Sequence, residues 1–447
     1  MSNELTQRIA QEHAAAAQSL PSGVVARARR RRAIDALVAR GLPTTRDENW
    51  RYASLRPLER VRFAPAPARA DLAPDQLPPP IQGYARYVFI DGLLAAAASA
   101  PGSPWPGVTV HTPSRPADGG AAEAGASGTP AASAEPDRAS TPDSAFGLLN
   151  DAFALDSAEI DVGAAASAEP ACIEVVFAAS APAQQGASYP RLRVSAAPHT
   201  QLRLIERHVS LAGDASFVDA AVEVQLHDGA AIDHYRVQQL GARAVWMDTL
   251  SASVGRSAAY RLHGINLGAQ SARSTMHVHL RGDGAQLALH AVSAGDRQQV
   301  LDQYAVVDHA APHTRTEESF RGIAAGRARV AFNGKIIVRP GAHGADSSQS
   351  LRGLLAGADA EIDVRPQLEI YTDDVRCSHG ATAGKLDEAM LFYLLSRGLD
   401  RDTAKLLLKW AFLEDVVSKI AVAALRRQIE QSLAGQIQES DTLKELL

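Results

Sequence analysis

Cysteine is almost missing from this chain: its 447 residues include two, Cys172 and Cys377. That excludes a disulfide framework and any four-cysteine iron–sulfur centre built from one copy. Aromatic residues make up only 5% of the sequence, and no apolar run reaches the 18 residues of a membrane-spanning helix. Positive charge is not in excess either. The 45 Lys and Arg stand against 50 Asp and Glu, a net charge of −5, which argues against a nucleic-acid coat or a binder of anionic membranes. No signal peptide is visible, so the expectation is a cytoplasmic protein with reduced thiols.

The familiar catalytic signatures are missing as well. Gly334-Lys335 and Gly384-Lys385 lack the flanking Gly and Ser/Thr of a phosphate loop. There is no His-Glu-x-x-His, no Gly-x-Ser-x-Gly, no Gly-x-Gly-x-x-Gly and no Cys-x-x-Cys. The chain is expected not to be an enzyme in its own right.

What is present falls into four stretches, since 447 residues exceed one ordinary core. Residues 1–60 read as helical, with the clearest segment from Ser22 to Arg40, stopped by Gly41 and Pro43. Its arginines, Arg27 and Arg29 to Arg32, read as a solvated face in the absence of interleaved aromatics. Residues 61–170 carry little signal beyond a strand at Tyr87–Ile90 and the turn dipeptide Asp91-Gly92. Within them, 112–144 is almost wholly small and polar, and reads as a disordered insertion.

Residues 171–384 are β-rich. Alternating runs such as Ile173–Phe177, Val222–Leu226, Met276–Leu280, Arg329–Phe332 and Lys335–Val338 are separated by Gly-Ala turns. The turns at Gly326, Gly341 and Gly357 lie 15 to 16 residues apart. Short strands with this punctuation fit a sandwich, a barrel or a coiled parallel solenoid, and the lack of intervening helices speaks against a doubly wound sheet. Residues 385–447 are helical again, with Asp387 and Asp400 placed as N-caps. The second of these helices is expected to run past Lys419. It bears two apolar stripes, one of them Leu406, Trp410, Leu413, Val417 and Ile420. A surface helix needs one stripe, so the second is either buried in the same unit or offered to a partner.

Chemistry concentrates at Tyr371–Ala381. Cys377 and His379 stand two apart and leave the same face of an extended strand, a soft sulfur beside an imidazole, which suits iron or zinc. Two donors cannot complete a coordination sphere, so a real site there would draw further ligands from an interface.

These residues resemble the SufB/SufD family of the SUF iron–sulfur cluster assembly system, its SufD branch more than its SufB branch. The likeness runs from Asn266 to Phe412 through Met276–Leu280, Val330–Lys335, Gln349 and Pro366–Ile370. It peaks at Asp373–Thr382, with Leu391–Gly398 behind it and Arg46–Tyr52 near the N-terminus. The resemblance implies a mainly β protein: a right-handed parallel β-helix flanked by N- and C-terminal helical regions. It implies a scaffold that pairs with a SufB-like paralogue through the end of the β-helix. Its C-terminal helices, with Leu406, Trp410, Leu413 and Val417 as candidate contacts, would bind a SufC-like ABC ATPase. His379 and Cys377 would be transient ligands of a nascent Fe–S cluster at that junction. No cofactor would be held stably by this chain alone; ATP would enter only through the partner, and the resemblance leaves open FAD in the complex. Two other readings stand beside it. A self-sufficient homodimeric iron or cluster carrier would use two copies of the Cys377/His379 pair. A carbohydrate-active β-helix enzyme would want a secretion signal and a groove of acidic and basic residues on the solenoid flank, and the sequence displays neither.

Overall fold

The computed structural model describes residues 2–67, 76–102, 105–113, 145–164, 169–211 and 215–437. The small-residue tract expected at 112–144 lies outside the described residues from 114 onward. Two antiparallel pairs start the β system. They are β1 (Ala85–Ile90) with β2 (Leu93–Leu94), and β3 (Val108–His111) with β4 (Ala158–Val162). Strands β5 (Ala171–Ala179), β6 (Arg191–Ala196), β7 (Gln201–Ser210), β8 (Phe217–Leu226) and β9 (Ala231–Gln239) follow. Then come β10 (Val245–Val254), β11 (Ala259–Asn266), β12 (Ser271–Leu280), β13 (Gln286–Gly295) and β14 (Val300–His309). The series ends with β15 (Arg315–Ala324), β16 (Arg329–Val338), β17 (Asp346–Leu355), β18 (Glu361–Ile370) and β19 (Arg376–Gly384).

Odd-numbered strands from β5 to β19 stack in one sheet and even-numbered strands from β4 to β18 in the other, each pairing with its neighbours in parallel. The chain thus winds as a parallel β-solenoid of about seven turns. One coil in the odd sheet takes 27 residues where Gly264 meets Ala291 and 31 where Phe320 meets Leu351. The 15- to 16-residue spacing of Gly-Ala turns is therefore half a coil: one ten-residue strand and its corner. The two runs Arg329–Phe332 and Lys335–Val338 turn out to be one strand, β16, continuous through Gly334.

Alternate residues point into the coil, as the pleat requires. In β16 the inward set Val330, Phe332, Ile336 and Val338 is buried, and such residues from every coil form one continuous core. The outer faces are covered too. Helices α1 (Ser2–Ala16), α2 (Arg27–Arg40) and α3 (Ala145–Phe153) form a core with Phe217, Val245 and Met247 of the even sheet. Helices α4 (Glu388–Ser396), α5 (Arg401–Val417) and α6 (Ala423–Ile437) follow β19. The last two pack on Ile205, Val237, Ile265, Val292 and Ile323 of the odd sheet.

Local chemistry accounts for several boundaries. Asp91 and Gly92 both take positive φ, 48° and 86°, the mirror-image turn that suits a two-residue hairpin between β1 and β2. Asp387 and Asp400 cap α4 and α5, each accepting two backbone N–H bonds. Two expectations shift: the helix expected from Ser22 begins at Arg27, after a turn, and the one expected past Lys419 ends at Val417. Strand β1, within the stretch 61–170, pairs with β5 in register from Ala85 to Ile90 and is part of the solenoid.

The arginine run of α2 is not simply a solvated face. Arg30 is 2% exposed and donates to the carbonyls of Pro21, Val25, Ala152 and Ala154, tying α2 to the end of α3. Burial pushes its guanidinium down to about 10. Arg29 pairs with Asp151 at 3.0 Å. Among the described residues no helix is long and apolar enough to cross a membrane.

Candidate metal centre at the open end of the solenoid

The two ends of the solenoid differ. At the first, the short antiparallel strands β2 and β3 lie against the sheets. At the other, among the described residues β18 pairs only with β16 and β19 only with β17, so each is an edge strand with a row of backbone groups turned outward. Core side chains there are covered on one side alone. Ile362, Val364, Leu368, Val375 and Cys377 are half-buried against the last complete coil.

The sequence-predicted pair sits on this edge. Cys377 and His379 both belong to β19, in register with Ser347 and Gln349 of β17. Those two are inward-facing, 1% and 4% exposed, so the thiol and the imidazole occupy the inward columns of an unfinished coil. Cys377 is half-buried and His379 exposed. Among the described residues no group of three or more His, Cys, Asp or Glu is placed to hold a metal. Cys377 and His379 bring two candidate donors to this edge.

Beneath it lies a polar pair that the sequence reading passed over. The column that ends in His379 continues inward through Gln349 to Glu318 of β15. Gln349 Nε2 donates to Glu318 Oε2 and, at 3.1 Å, to the carbonyl of Gly334. Glu318 is 1% exposed. Burial pushes its carboxyl up to about 7, against the opposing effect of the Gln349 hydrogen bond. Glu318 Oε1, Gln349 Oε1 and Ser347 Oγ have no partner among the described residues. Gly334 leaves the pair its room: a Cβ there would stand 2.6 Å from Glu318 Oε2 and 2.8 Å from Gln349 Nε2, and these side-chain ends would have to shift. Glu318 shares strand parity with buried Thr316 and Phe320, the one signal in the sequence that could have marked it as inward.

The partner-contact residues expected on α5 are placed differently from the expectation. Leu406, Leu413 and Val417 are 5%, 0% and 0% exposed, and Trp410 is half-buried beside them. They are engaged within the chain, because the odd sheet is apolar on its outer face and α6 packs beside α5. The exposed apolar surface lies elsewhere. Of the six large hydrophobics exposed among the described residues, five fall between 370 and 393: Ile370, Tyr371, Met390, Phe392 and Tyr393. On α4 only Leu391 is buried.

A family model described as SUF system FeS cluster assembly, SufBD core domain, matches residues 177–412, from β5 into α5. The chain belongs to this family.

Two of its relatives match along most of its length. A SufBD family protein of Synechocystis is 26% identical over 425 residues, 91% of this chain and 90% of that protein. The iron–sulfur cluster assembly protein SufD of Escherichia coli is 26% identical over 404 residues, 88% of this chain and 89% of its own. A SufBD family protein of Mycobacterium leprae reaches 31%, over 40% of this chain and 47% of its own. The SufBD match spans the open end, including Cys377, His379 and the Glu318–Gln349 pair beneath them. His277 and His279, the other paired histidines, lie on the outer face of β12, with His279 Nδ1 3.5 Å from Asp308 Oδ2.

Proposed function

We propose that this chain is a non-catalytic scaffold for iron–sulfur cluster assembly. It pairs with a SufB-like paralogue across the open end of the solenoid, and a nascent cluster forms there as cargo on His379, Cys377 and ligands of the partner. The observation that carries this reading is an incomplete soft-and-borderline donor pair on an uncovered strand edge. An unpaired edge with half-buried core side chains invites a second solenoid to continue both sheets. The same docking would complete the coordination of the cluster.

The second contact is with a SufC-like ABC ATPase, through the exposed face of α4 with Met390, Phe392 and Tyr393. Exposed apolar patches of this kind mark interaction surfaces. ATP acts only in that partner, and closure of two ATPase subunits moves the C-terminal helices. Two ion pairs support transmission to the coil that holds Glu318: Lys419 with Glu317 at 2.7 Å, and Arg321 with Asp415. The compartment is the cytoplasm, and any flavin belongs to the assembled complex.

Co-expression of the chain with its paralogue and ATPase, followed by anaerobic purification, tests both parts. His379→Ala should leave the three-protein complex intact by size-exclusion chromatography and lower cluster absorbance and bound iron severalfold. Phe392→Ser should release the ATPase while the paralogue stays bound. Wild-type cluster content in His379→Ala would remove the ligand role. A dimer of this chain alone carrying the full iron content would replace the scaffold reading with the self-sufficient carrier.

A further inference from the structure

The corners that connect the even sheet to the odd sheet form a ridge along the solenoid, and consecutive corners are joined by backbone hydrogen bonds. Gly284 N–H donates to Pro312, His313 N–H to His343 at 2.9 Å, and Gly344 N–H to Asp374 at 2.8 Å. Two histidines occupy successive corners. His313 has a left-handed backbone, φ 53°, and both side chains are exposed.

We propose that His313 and His343 form a binding site for a borderline divalent cation on this ridge, apart from the Cys377/His379 end. Their hydrogen bonds carry the argument. His313 Nδ1 lies 2.9 Å from Asp283 Oδ1, and His343 Nδ1 lies 3.1 Å from the carbonyl oxygen of Gly341. An ionised carboxylate and a carbonyl only accept, so both Nδ1 atoms carry the hydrogen. In the neutral ring the lone pair then sits on Nε2. An imidazole whose other N–H is held by a carboxylate or a backbone carbonyl is the form in which metals are bound.

The two rings are near neighbours, at a separation that one shared ion would allow. The centroids are 5.4 Å apart, with planes at 83°. Two imidazoles on a tetrahedral ion, each with a metal–nitrogen bond of about 2.0–2.1 Å, place their ring centres about 5.2 Å apart. The free edge of His313 faces the corner that carries its partner. A Cβ on Gly344 would lie 2.6 Å from His313 Cδ2 and 3.4 Å from Nε2. Glycine at 344, with φ 67°, lets the ring lie there. The groove beside His313 also holds Arg315 and Arg376, and Asp346 and Asp374 offset them, with Asp346 paired to Arg315 at 3.2 Å. Two nitrogen donors with water or a small ligand at the open positions suit Fe(II), Co(II), Ni(II) or Zn(II) over Mg(II) and Ca(II). Asp283 is a positioning residue that fixes the tautomer of His313.

Zn(II), which is redox-silent, is the probe. It would be titrated by calorimetry into the full chain and into Cys377→Ser/His379→Ala, His313→Ala, His343→Ala and Asp283→Asn. One equivalent should remain in the Cys377/His379 double variant. It should weaken at least tenfold in each ridge histidine variant and roughly 10- to 100-fold in Asp283→Asn. Unchanged melting temperatures would certify the variants as folded, and His343→Gln serves as a second substitution there. Wild-type binding in either histidine variant, or loss of all binding in the Cys377/His379 double variant, would overturn the site.

Discussion

Replacing Glu318 with glutamine should change how stability depends on pH, in a direction the structure fixes. Its carboxyl is held up at about 7 when folded and returns to the ordinary glutamate value of 4.5 when unfolded. Below pH 4 both states hold the proton and the residue makes no difference. Between those values only the folded state keeps it, so raising the pH progressively disfavours folding. Above pH 7 the full cost is present. A gap of about 2.5 units at 1.36 kcal/mol each is ~3 kcal/mol. Glu318→Gln keeps the shape, can still accept from Gln349 and has no charge to bury. Its stability relative to the wild type should rise from near zero at pH 4.5 to ~3 kcal/mol at pH 8, roughly 5 °C in melting temperature for a cooperative unit of some 300 residues. Melting both proteins across pH 4.5–8 and taking the difference cancels every other titrating group. A difference that stays flat over this range, or that falls as the pH rises, would refute the assignment of a neutral buried acid.

Gly334→Ala should lower stability by about 1–3 kcal/mol, the usual cost of overpacking, because the added methyl meets Glu318 Oε2 and Gln349 Nε2; denaturant titration checks it, and a neutral result would mean the pair can shift aside. Leu413→Ala and Phe392→Ser should separate packing from docking. Leu413→Ala should cost about 2–5 kcal/mol, while Phe392→Ser, 72% exposed, should stay within about 0.5 kcal/mol of the wild type. Equal destabilisation by the two in thermal melts would contradict the exposure of α4.

The parts of the molecule governed by near neighbours were readable in advance. The caps at Asp387 and Asp400 and the hairpin turn at Asp91-Gly92 depend on a few adjacent residues. The shared face of Cys377 and His379 depends only on strand alternation. The half-coil spacing was visible at Gly326, Gly341 and Gly357, yet it became a coil length only once parallel register was known. Three features depend on distant chain and were hidden. Arg30 looked like one of a solvated run, but its carbonyl partners at 152 and 154 arrive from α3, more than a hundred residues away. The second stripe of α5 was ambiguous because its fate rests on the outer face of the odd sheet. Glu318, next to Glu317 and near His313, forms no recognisable motif in the sequence. Only its place in the column under Gln349 and His379 sets it apart.

The unlike ends of the solenoid also limit how far an assembly built from it can grow. A fold with two raw edges would accept a neighbour at each and extend into a fibre. Among the described residues the β18/β19 edge carries long parallel strands over half-buried core side chains, while short strands β2 and β3 run antiparallel at the opposite end. If two such bodies joined there, each would spend that edge on the other, and the joint would close at two. On the proposed scaffold reading, Fe–S cargo at that joint would sit at the middle of a finite particle.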